Sequence, residues 1–337
     1  MKKIIFAIIT MCSAIGLIWA DDCPPAATST TTISFKRNLS TILPGAFSVS
    51  DGNQVNFTKG NLQYNAAYNS WRFAENQYVY IGNAAGNNVV SAARATQDAW
   101  IDIFAWGTSG YDNTAADPTA ANFQPWAYSQ VDMGDENNLY YFGPSITIMP
   151  AEANWGDRQA TKNYDWGVYN FTSGAEAGCR TLTQEEWVFL LSGRSNAASL
   201  CGFGKLFGVS GLFLLPDAWS WSAPAVAAAA SATSFFWTTS ASAKLFTNNV
   251  IENTENGRAL WRVMEDAGAV FLPAAGCRSQ GSFLNVGTAG YYATSSVISN
   301  KHAHLAYFYS GTLSTSSTIL RATEITVRLV KDVLVVP

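Results

Sequence analysis

"CRTLTQEEWVFLLSGRS", residues 179–195, is the stretch that decides how this chain is read. Thr183 followed three positions later by Glu186 has the spacing of a capping box, in which a hydroxyl and a carboxylate satisfy the free N–H groups at a helix start. Trp187, Leu190 and Leu191 recur at helical spacing and form one apolar face. Gly193 marks the stop. A second helix is predicted in "NGRALWRVMEDAG" (256–268), with Leu260, Trp261 and Met264 on one face and Gly268 as its stop. Trp187 and Trp261 are expected in the core.

Around these helices the sequence alternates like strands. "GAFSVSDGNQVNFTKGNLQY" (45–64) breaks at Asp51-Gly52, a hairpin signal between apolar runs. "WRFAENQYVYIG" (71–82) reads as a further strand, and "GLFLLPD" (211–217) and "AVFLPAAG" (269–276) as buried ones. Near the end, "AHLAYFYSG" (303–311) alternates. So does "EITVRLV" (324–330), with Ile325, Val327 and Leu329 expected on one face and Thr326 and Arg328 on the other. Residues 82–167 are rich in Gly, Asn, Asp and Trp and read as long loops. "APAVAAAASATSFFWTTSASAKLF" (223–246) is biased toward Ala and Ser and is also expected to be a long loop. The predicted fold class is α+β: two helices, short antiparallel strands and long irregular loops.

Lys2 and Lys3, an apolar run from Ile4 to Ile18, and Ala20 have the form of a secretory signal over residues 1–20. The expected product is secreted, extracellular or cell-surface, cut near Ala20. Residues 21–43 read as a Pro/Ser/Thr-rich tether, 44–332 as a single domain and 333–337 as a tail. No stretch is long enough for a membrane span. Charged residues make up 13% of the chain and the net charge is −4, so no basic patch is present to hold nucleic acid. Four cysteines lie beyond the signal. Buried thiols or one structural bridge are expected, any bridge being a link among Cys179, Cys201 and Cys277, with Cys23 in the tether.

Three motifs occur in order. "CRTLTQEEW" (179–187) resembles the Arg-Leu-Pro-Thr…Glu-Trp motif of the formylglycine-generating-enzyme-like branch of C-type lectin folds. "FLPAAGCRSQGS" (271–282) with "GTAGYYATSS" (287–296) is similar to a Pro-Ala-Ala-Gly-Tyr-Arg…Gly-Tyr-Tyr-Trp-Ser-Ser stretch, and "ITVRLV" (325–330) to a closing Ser-Val-Arg-Leu-Val strand. From Gly45 to Val330 the chain resembles secreted Bacteroidetes proteins related to the Fibrobacter succinogenes major paralogous domain. That resemblance implies an elaborated C-type-lectin-like domain. Departures fall at Cys179, Cys277 and Ala293, where relatives tend to carry aromatics, and at Thr323-Glu324, where they carry Gly followed by Phe or Tyr. In one branch of this fold the C-terminal quarter is the ligand-binding face, which retroelements can diversify.

Enzyme readings are weak. The resembled oxidases use paired cysteines and copper near the C-terminus, and this chain has no cysteine past 277. Glu185 and Glu186 are adjacent on a helix start, where they serve the dipole and the cap rather than acid–base chemistry. Calcium motifs of sugar-binding lectins are missing, and Asp132, Asp135 and Glu136 read as a solvated acidic loop rather than a calcium site. His302 and His304, two apart in a strand, share a face. Two imidazoles alone do not make a metal site, and they read as ligand-facing residues beside Tyr307 and Tyr309. No catalytic residue, metal or cofactor is expected. Of the loop tryptophans, Trp106, Trp126, Trp155 and Trp166, most are expected to pin loops rather than stack on sugars. The predicted function is recognition of a glycan or protein ligand on a host or neighbouring cell surface. The face is the segment 279–326, with Tyr291, Tyr292, Ser295, Ser296, Asn300, His302, His304, Tyr307 and Tyr309 as contacts, about half of them facing outward together. The alternatives are a structural, adhesin-like envelope protein and, further off, a formylglycine-generating-type oxidase.

Overall fold

The computed structural model describes residues 40–65, 68, 70–82, 87, 99–104, 106, 165–239, 242, 244–279, 282–298, 302–320 and 323–333. They belong to one unit spanning Ser40–Pro337. The fold is α+β, built from small sheets and short helices. Among the described residues no helix is long and apolar enough to cross a membrane.

The first hairpin forms where expected: β1 (Ile42–Ser50) and β2 (Asn53–Thr58) meet across Asp51-Gly52, with Gly52 at φ +77. Next to β2 lies the closing strand β18 (Leu329–Asp332), and beyond it β7 (Cys179–Thr181), so the sheet order is β1-β2-β18-β7. A second sheet runs β4 (Ser70–Phe73), β3 (Leu62–Asn65), β5 (Trp100–Ile101). A third runs β10 (Asn249–Ile251), β8 (Cys201–Leu206), β9 (Val209–Leu214), β11 (Val270–Pro273), with β10 and β8 parallel. The fourth carries the C-terminal segment: β16 (Thr312–Leu320), β15 (His302–Tyr309), β14 (Ala289–Val297), β17 (Ile325–Thr326), β6 (Ile103–Phe104). β12 (Cys277–Ser279) and β13 (Ser282–Leu284) form a ribbon.

The helices are α1 (Trp166–Asn170), α2 (Gln184–Val188), α3 (Pro224–Thr233) and α4 (Glu255–Asp266). The capping box of α2 is formed on both sides: Glu186 N–H donates to Thr183 Oγ1 at 3.2 Å and Thr183 N–H to Glu186 Oε2 at 2.8 Å. After Val188 the helix widens into a π turn, Phe189–Gly193, and ends at Gly193. α4 buries Leu260, Trp261 and Met264, and Gly268 at φ +92 follows its end.

Two arginines tie distant segments together. Arg180 donates to both oxygens of Glu186 at 2.7 Å and also to Asp332 Oδ1, which binds the α2 cap to the closing strand. Arg328 is fully buried. Its Nε donates to Asn61 Oδ1 (2.9 Å), Nη1 to the carbonyls of Thr58 and Lys59 (both 3.0 Å), and Nη2 to the carbonyl of Phe271 (2.8 Å).

Several expectations are corrected. "APAVAAAASATSFFWTTSASAKLF" is not one long loop: Pro224 at the first helical position and the alanines after it form α3, as their propensities favour. The described residues therefore hold four α-helices rather than two, two of them only five residues long. "WRFAENQYVYIG" is a strand only as far as Phe73, because Gln77 turns inward to accept from Phe271 N–H at 2.7 Å. "EITVRLV" is not one alternating strand. It breaks at Val327-Arg328 to pass from the fourth sheet to the first, and Thr326 and Arg328 are as buried as the apolar residues beside them. Cys179, Cys201 and Cys277 are buried free thiols, so no disulfide links them. They pack as small apolar groups: Cys179 and Cys277 in one core cluster, Cys201 in another.

Candidate functional site

Strands β14 and β15 pair antiparallel, Tyr291 opposite Tyr307 and Ala289 opposite Tyr309. Alternation sends Tyr292, Ala306 and Phe308 into one core cluster, with Phe47, Phe57 and Trp187. Ala293, Ala303 and Leu305 point the opposite way, into a cluster with Trp106, Trp166 and Cys277. The sheet is thus anchored on both faces. Solvent reaches the end of the second face, where Tyr291 and Tyr307 border the cluster, and the His302–His304 end of the first.

The predicted contact residues separate accordingly. Tyr292 is fully buried and donates to the carbonyl of Pro273 at 2.9 Å, so it is a core residue. Ser296 is buried, and its Oγ accepts from Gln184 N–H at 2.9 Å. Ser295 N–H donates to the carbonyl of Leu182 at 2.9 Å, and Ser295 Oγ lies 3.4 Å from that of Thr181. Both serines fasten the β14 bulge between Ala293 and Val297 to the start of α2 and are removed from the ligand set. Asn300 lies outside the described residues, as do Trp126, Trp155 and the acidic loop of Asp132, Asp135 and Glu136.

His302 and His304 share a face, as the spacing requires, but it is the face of Ala306 and Phe308. Tyr307 and Tyr309 project from the other side of the same strand. The histidines and tyrosines therefore do not form one surface. His304 is half-buried. Burial holds its imidazole below the usual pKa, opposed by the nearby Glu185 carboxylate. Among the described residues no three His, Cys, Asp or Glu side chains gather to hold a metal ion.

Three predicted residues remain together. The rings of Tyr291 and Tyr307 sit 4.8 Å apart and those of Tyr307 and Tyr309 5.4 Å apart, a contiguous strip across two strands. Tyr309 is 42% exposed and the other two partly so. Asn285 Nδ2 donates to Tyr291 Oη at 2.6 Å, and burial pushes the Tyr291 phenol well above its ordinary pKa. On the neighbouring strand Ser314 pairs with Tyr307 and Thr312 with Tyr309. The six side chains are tyrosines, an amide and two hydroxyls, and the tyrosines bring aromatic rings to a partly exposed surface. Such a surface stacks and hydrogen-bonds; it has no nucleophile with an adjacent base.

Asn285, Thr312 and Ser314 were not among the sequence candidates. The last two follow from "YSGT" (309–312), a two-residue turn signal that fixes their register opposite the tyrosines. Asn285 has a left-handed backbone, φ 58, in the turn after β13, which "LNVG" (284–287) hints at. Trp106 and Trp166 are buried, and Trp106 Nε1 donates to the carbonyl of Thr294 at 3.0 Å, so both pin the core. A further feature not read from the sequence is the pair Arg278 and Glu324, which form a buried ion pair and exchange backbone hydrogen bonds of 3.0 Å. In comparisons with known proteins, no family model, no curated protein and no solved structure matches this chain.

Proposed function

We propose that this chain is a secreted or surface-exposed binding protein with an elaborated C-type-lectin-like domain, and that it recognises a glycan or protein ligand through Tyr291, Tyr307 and Tyr309. The reading rests on the tyrosine strip, an aromatic surface on strands whose inward sides are locked into two cores. Rigid Tyr side chains give large contact area at low entropic cost, and Asn, Ser and Thr around them supply adaptable hydrogen bonds. The lectin-like reading draws support from the closing strand, which lies between the first hairpin and the "CRT" strand and is bound to the α2 cap by Arg180. Three positions of the resembled pattern that are small here, Cys179, Cys277 and Ala293, lie in one cluster with Trp106 and Trp166.

The test is binding of the full chain to an array of glycans and host surface proteins, with and without a chelator. A chelator-resistant hit lost in the double variant Tyr307→Ser, Tyr309→Ser, with an unchanged circular dichroism spectrum, is the expected result. Undiminished affinity in that variant overturns the assignment. A structural, adhesin-like role is the second reading. It is favoured by a stretch from Ala218 to Ala243 without a charged residue, in which Phe236 is 84% exposed beside the partly exposed Trp219, Trp221 and Trp237. Sedimentation of the wild type and of Phe236→Ser decides it: self-association abolished by the substitution supports a building block.

A further inference from the structure

A second site lies on the sheet β4-β3-β5, far in sequence from the tyrosine strip. A cleft of ≈ 430 Å³ opens there, lined by Gln63, Arg72, Phe73, Glu75, Asn76 and Trp100 among others. That volume is in the range of small-molecule pockets. The strand register builds it: Gln63 on β3 lies opposite Arg72 on β4, and Trp100 on β5 opposite Asn65 on β3.

Arg72 is held from two directions. Its guanidinium carbon stands 3.7 Å above the centroid of the Trp100 ring, and its Nε donates to Gln63 Oε1 at 2.8 Å. Gln63 is itself 2% exposed, so the anchor is fixed. A guanidinium held over an aromatic ring and tethered through Nε presents its two terminal nitrogens as a fork, the geometry that takes both oxygens of a carboxylate. Because the cation already covers the Trp100 ring face, sugar stacking on that face is not what the cleft offers. Glu75 sits in the same lining and disfavours a bare anion, so a fitting ligand carries a hydrogen-bond donor beside its carboxylate.

We propose that this cleft binds a small carboxylate bearing a hydroxyl or ammonium group on the adjacent carbon, as in a small α-hydroxy acid, an amino acid or an aldonic sugar acid. The carboxylate sits on the Arg72 fork and the donor faces Glu75 and Asn76.

Isothermal titration of the full chain with L-lactate, L-alanine and D-gluconate, with D-glucose as the neutral control, tests it. At least one acid binds at millimolar concentration and glucose does not. Which acid binds distinguishes the small hydroxy-acid, amino-acid and aldonic-acid sources. Arg72→Lys keeps the charge and loses the fork, and should weaken binding about tenfold. Gln63→Glu places an internal carboxylate on Arg72 and should abolish it. Both variants are checked for an unchanged melting temperature, and each alone suffices if the other does not fold. Binding by none of the acids, equal binding of glucose, or undiminished affinity in a folded variant overturns the proposal. The Tyr307→Ser, Tyr309→Ser variant leaves this titration unchanged, so the two sites stand or fall separately.

Discussion

Arg328→Lys isolates the contribution of one buried cation to the fold. The wild-type guanidinium donates to four acceptors on two separate segments: Asn61 with the Thr58 and Lys59 carbonyls at the end of β2, and Phe271 on β11. A single ammonium nitrogen cannot reach acceptors at both ends of that span. At least two charge-assisted hydrogen bonds are lost, each worth about 1.5–3 kcal/mol, for a total of about 3–6 kcal/mol. The charge then stays buried with fewer partners, which adds to the cost. A typical domain has only about 5–15 kcal/mol in hand, so the variant should be folded but marginal. Urea unfolding followed by tryptophan fluorescence reads the loss. The midpoint should fall sharply with the slope unchanged, because the surface exposed on unfolding is the same. A loss below about 1 kcal/mol would refute the reasoning and would mean that water replaces the lost donors.

Asp102 and Asp165 are buried carboxyls that burial pushes up to about 6. Each binds its proton more tightly folded than unfolded, so its contribution is full below its unfolded pKa and is lost as pH rises through about 6. Stability should therefore fall between about pH 4 and pH 6, with up to about 3 kcal/mol from each group. Asp102→Asn should reduce that slope by about one proton, read from melts across the window. Cys179 and Cys277, whose thiols burial raises to about 12 and about 11, and the buried Cys201 should resist alkylation in the native protein and react once unfolded, as peptide mapping would show. Gly290→Ala would place a methyl 2.1 Å from the Phe308 ring. It should cost about 1–3 kcal/mol by denaturant unfolding and also loosen the adjacent Tyr291.

Local chemistry was legible in the sequence. The Asp51-Gly52 turn, the Thr183–Glu186 box and the apolar face of α4 all form as read, because each is decided within a few residues. Features decided by distant partners were not. Arg328 alternates with apolar residues as a surface residue would, and only the carbonyls of Thr58, Lys59 and Phe271 make its burial tolerable. Glu324 is a charged residue at the start of a strand-like stretch, and Arg278 explains its burial only once the two are in contact. Of the candidate contacts, Tyr291, Tyr307 and Tyr309 meet as a surface, since a period of two places them correctly. Tyr292, Ser295 and Ser296 do not, because α2 and the carbonyl of Pro273 occupy the space on their side. The histidine pair shared a face as predicted. Which face could not be read, since both sides of β15 carry aromatics in sequence and core in space.

The position of β18 has a kinetic corollary. The first hairpin leaves the ribosome well before its partner strand, since β2 pairs with residues 330–332, more than 270 positions later. Arg328, next to that strand, closes the hydrogen bonds of the turn after β2. Until those residues have been made, β2 has one edge open and the turn carbonyls wait for their donor. Such long-range closure slows folding and leaves strand edges exposed meanwhile. The sheet of the first hairpin therefore reaches its native pairing only after residues 328–332 have been made.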